Sequence, residues 1–457
     1  MSAELVSTES AQPAGGGTPT APAVRAARRV PLAVLDLVPI AAGSTAGEAL
    51  RNSIDLARRA EELGYARYWL AEHHLNPGVA GSAPHTFVGI LAASTERIRV
   101  GTAATILGNY GPLQVAEALG TVAALYPDRV DLGLGRSGFP PPPAAGEAPA
   151  ARTATPDAPT PADADAGAPV AASGDRAGSA AAPALGNAVV DGLVVPPARA
   201  FAFDRARFAL QGRLLGRVPG DAARFAETVD DLRAFFAGGY VGDGIPVSVQ
   251  PAEGTDVQVW VHGSTAGESA RLAGRLGLRY GANYHVAPSG VLESLAEYRA
   301  HFEPSTELDR PHTIVSVDVV VAETDAEAQR LAAGYAEWVL SIREGQGAVP
   351  YPRPEDAVPD AELGPIELAA VQDRLDTRFV GSPETVVGLL ETLQRVTGAD
   401  ELLVTTITHD HDARVASYRL LAEAWAAGGE AHGPADAHAD AARADSDPAA
   451  ILAGVTP

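Results

Sequence analysis

The residues of this chain that could transfer protons or bind a ligand lie where predicted strands end. His73 and His74 follow the apolar run 68–71, in the segment Leu70-Ala-Glu-His-His74. Adjacent residues on a strand point to opposite faces, so these two imidazoles do not readily bind one metal ion. One of them can instead face a pocket and transfer protons near neutral pH. We therefore expect a catalytic role for at least one histidine of the pair.

A second group of residues is suited to binding an anion. Arg136 follows a glycine-rich strand end, and a guanidinium offers a planar fork of donors to a phosphate. Gly263 and Ser264 follow the next predicted strand and precede a helix predicted from Thr265, whose free N–H groups would also attract an anion. The alternative is a surface ion pair for Arg136 and simple helix capping by Ser264. Because the two segments end neighbouring strands, we favour a shared phosphate site.

The segment Thr408-His-Asp-His-Asp412 has a spacing typical of metal ligands. The alternative is a polar loop that opens the last helix, with Asp410 or Asp412 as its cap. We favour the loop, because no third cluster of ligands accompanies the motif, and we expect no metal site. A metal-dependent barrel hydrolase using His409 and His411 remains the alternative that this motif allows.

Short apolar runs alternate with amphipathic segments along the chain. The runs predict buried parallel strands, and the amphipathic segments predict the helices that connect them. The predicted strands are residues 30–38, 68–71, 98–104, 130–134, 257–261, 278–283, 313–321 and 401–406. The predicted helices are 44–63, 84–94, 113–125, 225–236, 265–276, 289–302, 325–343, 383–397 and 412–426. Eight such strands predict an α/β fold, the (β/α)8 TIM barrel, with its active site at the carboxyl ends of the strands.

Composition separates the barrel from segments of low complexity. We expect a disordered tail over residues 1–28, the barrel over 29–427, and an acidic, Ala-rich tail over 428–457. Residues 139–197, after the fourth strand, are dominated by Ala, Pro, Gly and Asp. They cannot bury enough apolar surface to fold by themselves, so we predict a long disordered insertion. A second irregular stretch is predicted over 344–365.

The composition also excludes several classes of protein. The chain has no Cys, which excludes disulfides, thiolate metal ligands and cysteine nucleophiles. Every basic side chain is Arg, which excludes a Schiff-base lysine and a Walker-type phosphate lysine. A formal net charge of −23 disfavours nucleic-acid binding, and no apolar run is long enough to cross a membrane. Without a basic-then-apolar leader pattern, a cytoplasmic location is expected.

Three segments of the chain occur in an informative order and spacing: Trp69-Leu-Ala-Glu-His-His74, Gly101-Thr-Ala-Ala104 and Tyr126-Pro-Asp-Arg-Val-Asp-Leu-Gly-Leu-Gly-Arg136. Together they resemble the bacterial-luciferase-like family of flavin-dependent monooxygenases, although no single motif is specific. The similarity covers most of 30–135 and resumes around 257–281 and 379–406.

The resemblance implies a role for each candidate residue. His73 matches the family's catalytic imidazole, beside the C4a position of the flavin. Ala103–Ala104 matches a position where the family has a non-proline cis peptide under the isoalloxazine ring. Arg136 and Ser264 match ligands of the FMN phosphate. The other residues expected to line the site are Gly263, Asp36 and Glu72 at the cofactor, and His74, Leu107 and Asn109 on the substrate side.

The resemblance also implies a reaction, in which reduced FMN and O2 form a C4a-peroxyflavin that oxygenates a small organic substrate. The chain has no Gly-x-Gly-x-x-Gly fingerprint after a strand, so a separate NAD(P)H:flavin reductase is expected to supply the reduced FMN. A homodimer is the expected assembly. The alternatives are hydride transfer with coenzyme F420 in the same fold, the metal-dependent hydrolase, and a non-catalytic flavin-binding protein.

Overall fold

The apolar runs of the sequence form parallel strands that are buried on both faces, as a closed barrel requires. The computed structural model describes residues 29–136, 186–199, 204–217 and 221–428. Its strands are β1 (Leu32–Asp36), β2 (Arg67–Leu70), β3 (Arg99–Ile106), β4 (Val130–Gly135), β5 (Ala188–Val190), β6 (Leu193–Val195), β7 (Val241–Gly242), β8 (Ile245–Pro246), β9 (Gln258–Gly263), β10 (Arg279–Asn283), β11 (Thr313–Val321), β12 (Phe379–Gly381) and β13 (Glu401–Thr405).

Eight of these strands close into a barrel. They pair in the order β10-β9-β4-β3-β2-β1-β13-β11, and a further parallel pairing of β10 with β11 completes the ring. Each pairing around the ring is parallel, so all eight carboxyl ends lie at one rim. The predicted (β/α)8 fold is confirmed. This rim is where barrel enzymes place their active sites.

Helices surround the barrel and connect its strands. They are α1 (Ala46–Glu62), α2 (Pro84–Ser94), α3 (Pro112–Leu125), α4 (Arg205–Leu214), α5 (Phe225–Ala237), α6 (Glu268–Arg275), α7 (Val291–Ala300), α8 (Asp325–Leu331), α9 (Tyr335–Arg343), α10 (Pro365–Thr377), α11 (Pro383–Thr397) and α12 (His411–Ala427). The predicted caps form at α1, where Thr45 and Glu48 make a capping box, and at α11, where Ser382 is the N-cap. No helix of the described residues has both the length and the hydropathy to span a membrane.

The end of the predicted insertion is ordered, contrary to expectation. Strands β5 and β6 form an antiparallel hairpin within residues 186–197, and Asp191 and Gly192 occupy its turn with positive φ. The hairpin is attached to the barrel's helices, because Asn187 donates a hydrogen bond to Asp376 and Arg395 donates one to the Asp191 carbonyl. The rest of the insertion, residues 139–185, lies outside the described residues, as do the tails 1–28 and 429–457.

One prediction after β11 is wrong in detail, and two elements in this region were not predicted. The helix predicted over 325–343 is divided into α8 and α9, because Gly334 adopts a left-handed conformation between them. Helix α10 and the short strand β12 were not predicted. Strand β12 extends the sheet by pairing with the far end of β11.

Apolar side chains inside the barrel pack directly against helices α9 and α10. Inward-facing residues of β1, β2, β9 and β13 form one apolar cluster with side chains from these two helices and from the loop between them. The largest fully buried members of this cluster are Trp69, Trp260 and Tyr351. Helices α9 and α10 therefore cover the interior beside β1, β11 and β13.

Charged side chains close the amino end of the barrel. Arg67 donates hydrogen bonds to Asp131 (2.7 Å) and Glu401 (2.8 Å), and its guanidinium lies over the Trp260 ring, 4.9 Å from the centroid. Trp69 donates its indole N–H to Asp131 at 2.8 Å. Although burial opposes ionisation, the Arg67 charge lowers the pKa of Glu401 to about 2. The acids and Arg67 are therefore charged partners in a buried network.

Candidate active site

The loop after β2 brings three of the predicted site residues together around one carboxylate. The Glu72 side chain is fully buried and accepts hydrogen bonds from His74 Nε2 (2.8 Å) and Asn109 Nδ2 (2.5 Å). Its second oxygen accepts the backbone N–H of Ile106 at 3.0 Å. Glu72 therefore holds the end of β3 and the Asn109 turn against the loop that carries the histidines.

His73 lies in this loop and not on a strand. Strand β2 ends at Leu70, so the expectation that His73 and His74 face opposite sides of a strand is wrong. The His73 backbone N–H donates to the Gly81 carbonyl (2.9 Å), while its buried Nδ1 has no hydrogen-bond partner among the described residues. Burial lowers the pKa of His73 to about 4, with a partial opposing effect of Glu72. The ring is therefore neutral near pH 7, with one nitrogen able to bond to a ligand.

Two further buried imidazoles, which we did not select from the sequence, lie in this part of the barrel: His285 after β10 and His262 on β9. Burial is the main cause that lowers the pKa of each, with a smaller effect of His73 on His285 and of His285 on His262. The His285 Nδ1 shares a hydrogen bond of 2.6 Å with the Ser316 hydroxyl. Each histidine stands where a barrel strand ends, which is the signal that could have identified them.

These three buried imidazoles make stability depend on pH. Burial lowers the pKa of His73, His262 and His285 to about 4 in each case. The unfolded chain, with ordinary histidine pKa values, binds protons at pH values where the folded chain does not, so stability is lost as the pH falls from about 6.5 towards 4. We expect a thermal midpoint several degrees lower at about pH 5 than at about pH 7, measured by circular dichroism. Equal midpoints would contradict these pKa values.

The end of β3 has the conformation that the family resemblance implied. The Ala103–Ala104 peptide bond is cis, and the pairing of β3 with β4 changes register between Thr102 and Thr105. Ala103 packs against the interior cluster, and Ala104 is buried. This part of the rim therefore presents only methyl groups and backbone.

The candidate phosphate ligands lie on neighbouring strands. Arg136 directly follows β4, Gly263 ends β9, and these two strands pair in parallel. A Cβ on Gly263 would lie 2.3 Å from the Tyr280 hydroxyl, so only glycine fits there. Ser264 is buried, and its hydroxyl oxygen accepts a hydrogen bond from Asn283 Nδ2 (2.9 Å).

The expected helix start beside this site is wrong. Helix α6 begins at Glu268 with Gly267 as its N-cap, three residues later than the predicted start at Thr265. Ser264 therefore does not cap a helix, and the alternative interpretation of this residue as a simple N-cap does not hold. Its hydroxyl proton remains able to donate, because the bond from Asn283 uses only an oxygen lone pair.

Two residues expected at the site are placed elsewhere. The Asp36 carboxylate is fully buried on the helix side of the barrel, where it accepts hydrogen bonds from Arg414 (2.8 Å) and the Tyr68 hydroxyl (2.5 Å). Leu107 packs into the apolar layer between the strands and the helices. We therefore remove Asp36 from the cofactor contacts and Leu107 from the substrate side.

The histidines of the 408–412 segment point to separate partners. His409 bonds to the backbone carbonyl of Ala42 (3.0 Å), and His411 pairs with Asp55 of α1 (3.0 Å). Asp410 caps α12, as the loop interpretation predicted. Within the described residues, no three potential ligands are grouped to hold a metal ion. These contacts give the hydrolase alternative no support.

Comparison with known proteins identifies relatives along most of the chain. A family model for luciferase-like monooxygenases matches residues 30–157 and 205–401. The uncharacterized protein YvbT of Bacillus subtilis is 35% identical over 395 residues, which is 86% of this chain and 96% of that protein. A luciferase-like monooxygenase of Escherichia coli K12 is 31% identical over 394 residues, again 86% and 96% of the two chains.

Solved structures have the same barrel. Apo-MsnO8 is 31% identical and superposes with a TM-score of 0.65, covering 87% of this chain and 98% of that chain. The oxygenating constituent of 3,6-diketocamphane monooxygenase from Pseudomonas putida, solved in complex with FMN, is 17% identical with a TM-score of 0.55, covering 88% and 99%. At 17% identity, the similarity to the diketocamphane monooxygenase constituent shows a shared fold and nothing further.

Proposed function

The chain belongs to the luciferase-like monooxygenase family, and from this premise we propose that it uses reduced FMN and O2 to oxygenate a small organic substrate. The observation that carries the proposal is the arrangement at one barrel rim. His73, whose Nδ1 has no partner among the described residues, follows β2, and the Ala103–Ala104 cis peptide lies near the end of β3. Arg136 and Ser264 follow the neighbouring strands β4 and β9.

The residues present fit FMN in their chemistry. Arg136 and the Ser264 hydroxyl supply the charged and neutral donors that a phosphate accepts. The side chains of Ala103 and Ala104 are single methyl groups, which would let a flat ring lie close to the backbone. His73 Nδ1 is buried without a partner among the described residues, which favours a site completed by a bound group.

When bound, reduced FMN supplies the electrons that activate O2. The chain's own residues orient the reactants and manage protons around that chemistry. His73, neutral near pH 7, can exchange a hydrogen bond or a proton at its unpartnered Nδ1. Glu72 holds His74 and Asn109 in position, and we propose that these two side chains line the substrate side.

Replacement of Arg136 by alanine tests the cofactor site. We expect the affinity for FMN to fall at least about tenfold, because a charge-assisted hydrogen bond contributes roughly 1.5–3 kcal/mol. Fluorescence titration with FMN and with riboflavin, which lacks the phosphate, measures the change. Only FMN binding should weaken.

An exposed arginine provides the matched control. Arg419 on α12 pairs with Glu423 at the surface, so the Arg419→Ala variant should bind FMN like the parent chain. Unchanged FMN affinity of the Arg136→Ala variant would remove Arg136 from the site. A parallel titration with coenzyme F420 distinguishes the flavin from the deazaflavin alternative.

We also propose that a separate NAD(P)H:flavin reductase supplies the reduced FMN and that the chain forms a homodimer. The absence of a dinucleotide-binding fingerprint from the sequence supports the first part. Substrate oxidation that depends on an added reductase, and sedimentation at twice the chain mass, are the expected results.

A further inference from the structure

One large polar side chain lies inside the barrel just below the rim. Trp260 and Trp69 meet edge to face in the interior cluster, with ring centroids 5.0 Å apart. Residues two apart on a strand share a face, so His262 on β9 also points inward, one level nearer the rim. Its imidazole contacts Trp69 edge to face at 5.6 Å and is only 4% exposed.

Glycines on both neighbouring strands make room for this ring. A Cβ on Gly281 of β10 would lie 2.3 Å from His262 Nδ1, and a Cβ on Gly133 of β4 would lie 2.8 Å from Nε2. The same Cβ on Gly133 would lie 2.1 Å from the Thr102 carbonyl oxygen. The Nε2 edge of His262 therefore lies next to the backbone that leads into the Ala103–Ala104 cis peptide.

The Nε2 nitrogen of His262, which faces β4, has no partner within the described residues. Its Nε2 is buried and makes no hydrogen bond there. Burial, followed by the neighbouring His285, lowers the pKa of His262 to about 4, so the ring is neutral near pH 7 and has one donor and one acceptor nitrogen. Buried polar groups are nearly always paired, so an unpaired one beside a candidate binding site indicates a missing partner.

We propose that His262 Nε2 forms a hydrogen bond with a polar atom of the bound flavin ring. The inference rests on the proposed function. Arg136 and Ser264 are proposed to bind the phosphate of the cofactor, and His262 would add a contact to its ring. His262 and Ser264 are two residues apart, so the end of β9 supplies contacts to both parts of the cofactor. His262 is thereby a binding residue for the ring, in addition to filling the space between two glycines.

The ring contact and the phosphate contact can be separated by titration. For the His262→Leu variant we expect the affinities for FMN and for riboflavin to fall together, each about tenfold, as the loss of one buried hydrogen bond implies. The His262→Gln variant retains a side-chain amide and should recover part of the affinity. The matched control is His301→Leu, which alters a half-exposed imidazole after α7 and should bind both ligands like the parent chain. Parent-like binding of both ligands by His262→Leu overturns the inference.

A measurement on the unaltered chain keeps the inference testable if His262→Leu fails to fold. With ¹⁵N-labelled histidine, the Nε2 resonance of His262 should move when FMN or riboflavin saturates the protein. FMN binding with an unmoved His262 resonance overturns this inference and leaves the proposed function standing. No binding of FMN by the unaltered chain overturns the proposed function and this inference with it.

Discussion

Replacement of His73 by alanine is expected to slow substrate oxidation at least about 100-fold, because a positioned acid–base group typically contributes a factor of roughly 10²–10⁴. The structural basis is the unpartnered Nδ1 of a buried, neutral imidazole at the rim. FMN affinity should change little, since the proposed phosphate and ring contacts lie directly after β4 and at the end of β9. Turnover with saturating reduced FMN, together with a separate FMN titration, measures the two effects independently.

The control for this experiment is His301→Ala, which removes a half-exposed imidazole that bonds to the Glu297 carbonyl within its own helical turn. This variant should retain the parent rate. If His73→Ala oxidised substrate at the parent rate, the catalytic assignment would be wrong. Equal losses of rate and FMN affinity would instead assign His73 to cofactor binding.

Replacement of Arg67 by methionine is expected to lower the free energy of unfolding by about 3–5 kcal/mol, because removing one partner of a buried ion pair leaves the other charge uncompensated. Arg67 binds both Asp131 and Glu401 at the closed end of the barrel. Asp131 would still accept hydrogen bonds from Arg99 and Trp69. Glu401 would lose a guanidinium that bonds to both of its oxygens and would retain the His312 Nε2 contact (2.9 Å), so Glu401 should be the main source of the loss. Urea unfolding followed by circular dichroism measures the change.

Two further variants separate the buried charge from the general effect of losing an arginine. Arg330→Met removes an exposed pair with Glu327 and should cost less than about 1 kcal/mol. Adding Glu401→Gln to Arg67→Met should recover part of the stability, because it neutralises the buried carboxylate that has lost its guanidinium partner. A cost for Arg67→Met no greater than that for Arg330→Met would show that the buried network contributes little.

Most of the barrel could be predicted because its strands are short apolar runs between capped helices. The Thr45 and Ser382 caps and the glycines after helices mark the connections in the sequence itself. The region after β11 could not be predicted as well. Gly334 interrupts a helical pattern at one residue, and α10 has exposed residues such as Ile366 that weaken its apolar stripe. Tertiary packing against the interior cluster, and not local pattern, determines these helices.

The candidate residues that belong to motifs lie together as the sequence suggested, while their roles stay predictions; residues that only packing brings to the same region were not selected from the sequence. Glu72, His74 and Asn109 meet as neighbours, and the Ala103–Ala104 bond is cis. A strand buried on both faces gives no sign of which residues point inward, so His262 could not be assigned to the interior. For the same reason, Asp36 could not be recognised as the partner of Arg414 on the opposite face.

The ion-pair network of Arg67 and the candidate site occupy opposite ends of the barrel, which has a consequence for how the protein can diversify. A substitution in a rim loop leaves the Arg67 network intact, provided that the replaced residue does not contact Glu72. New substrate preferences can therefore arise in these loops with little loss of folding stability. Changes to Arg67, Asp131 or Glu401 weaken the contacts between the strands that these residues join, and this loss of stability does not depend on which substrate the protein uses. Lineages of this chain should therefore vary at one end of the barrel and remain uniform at the other.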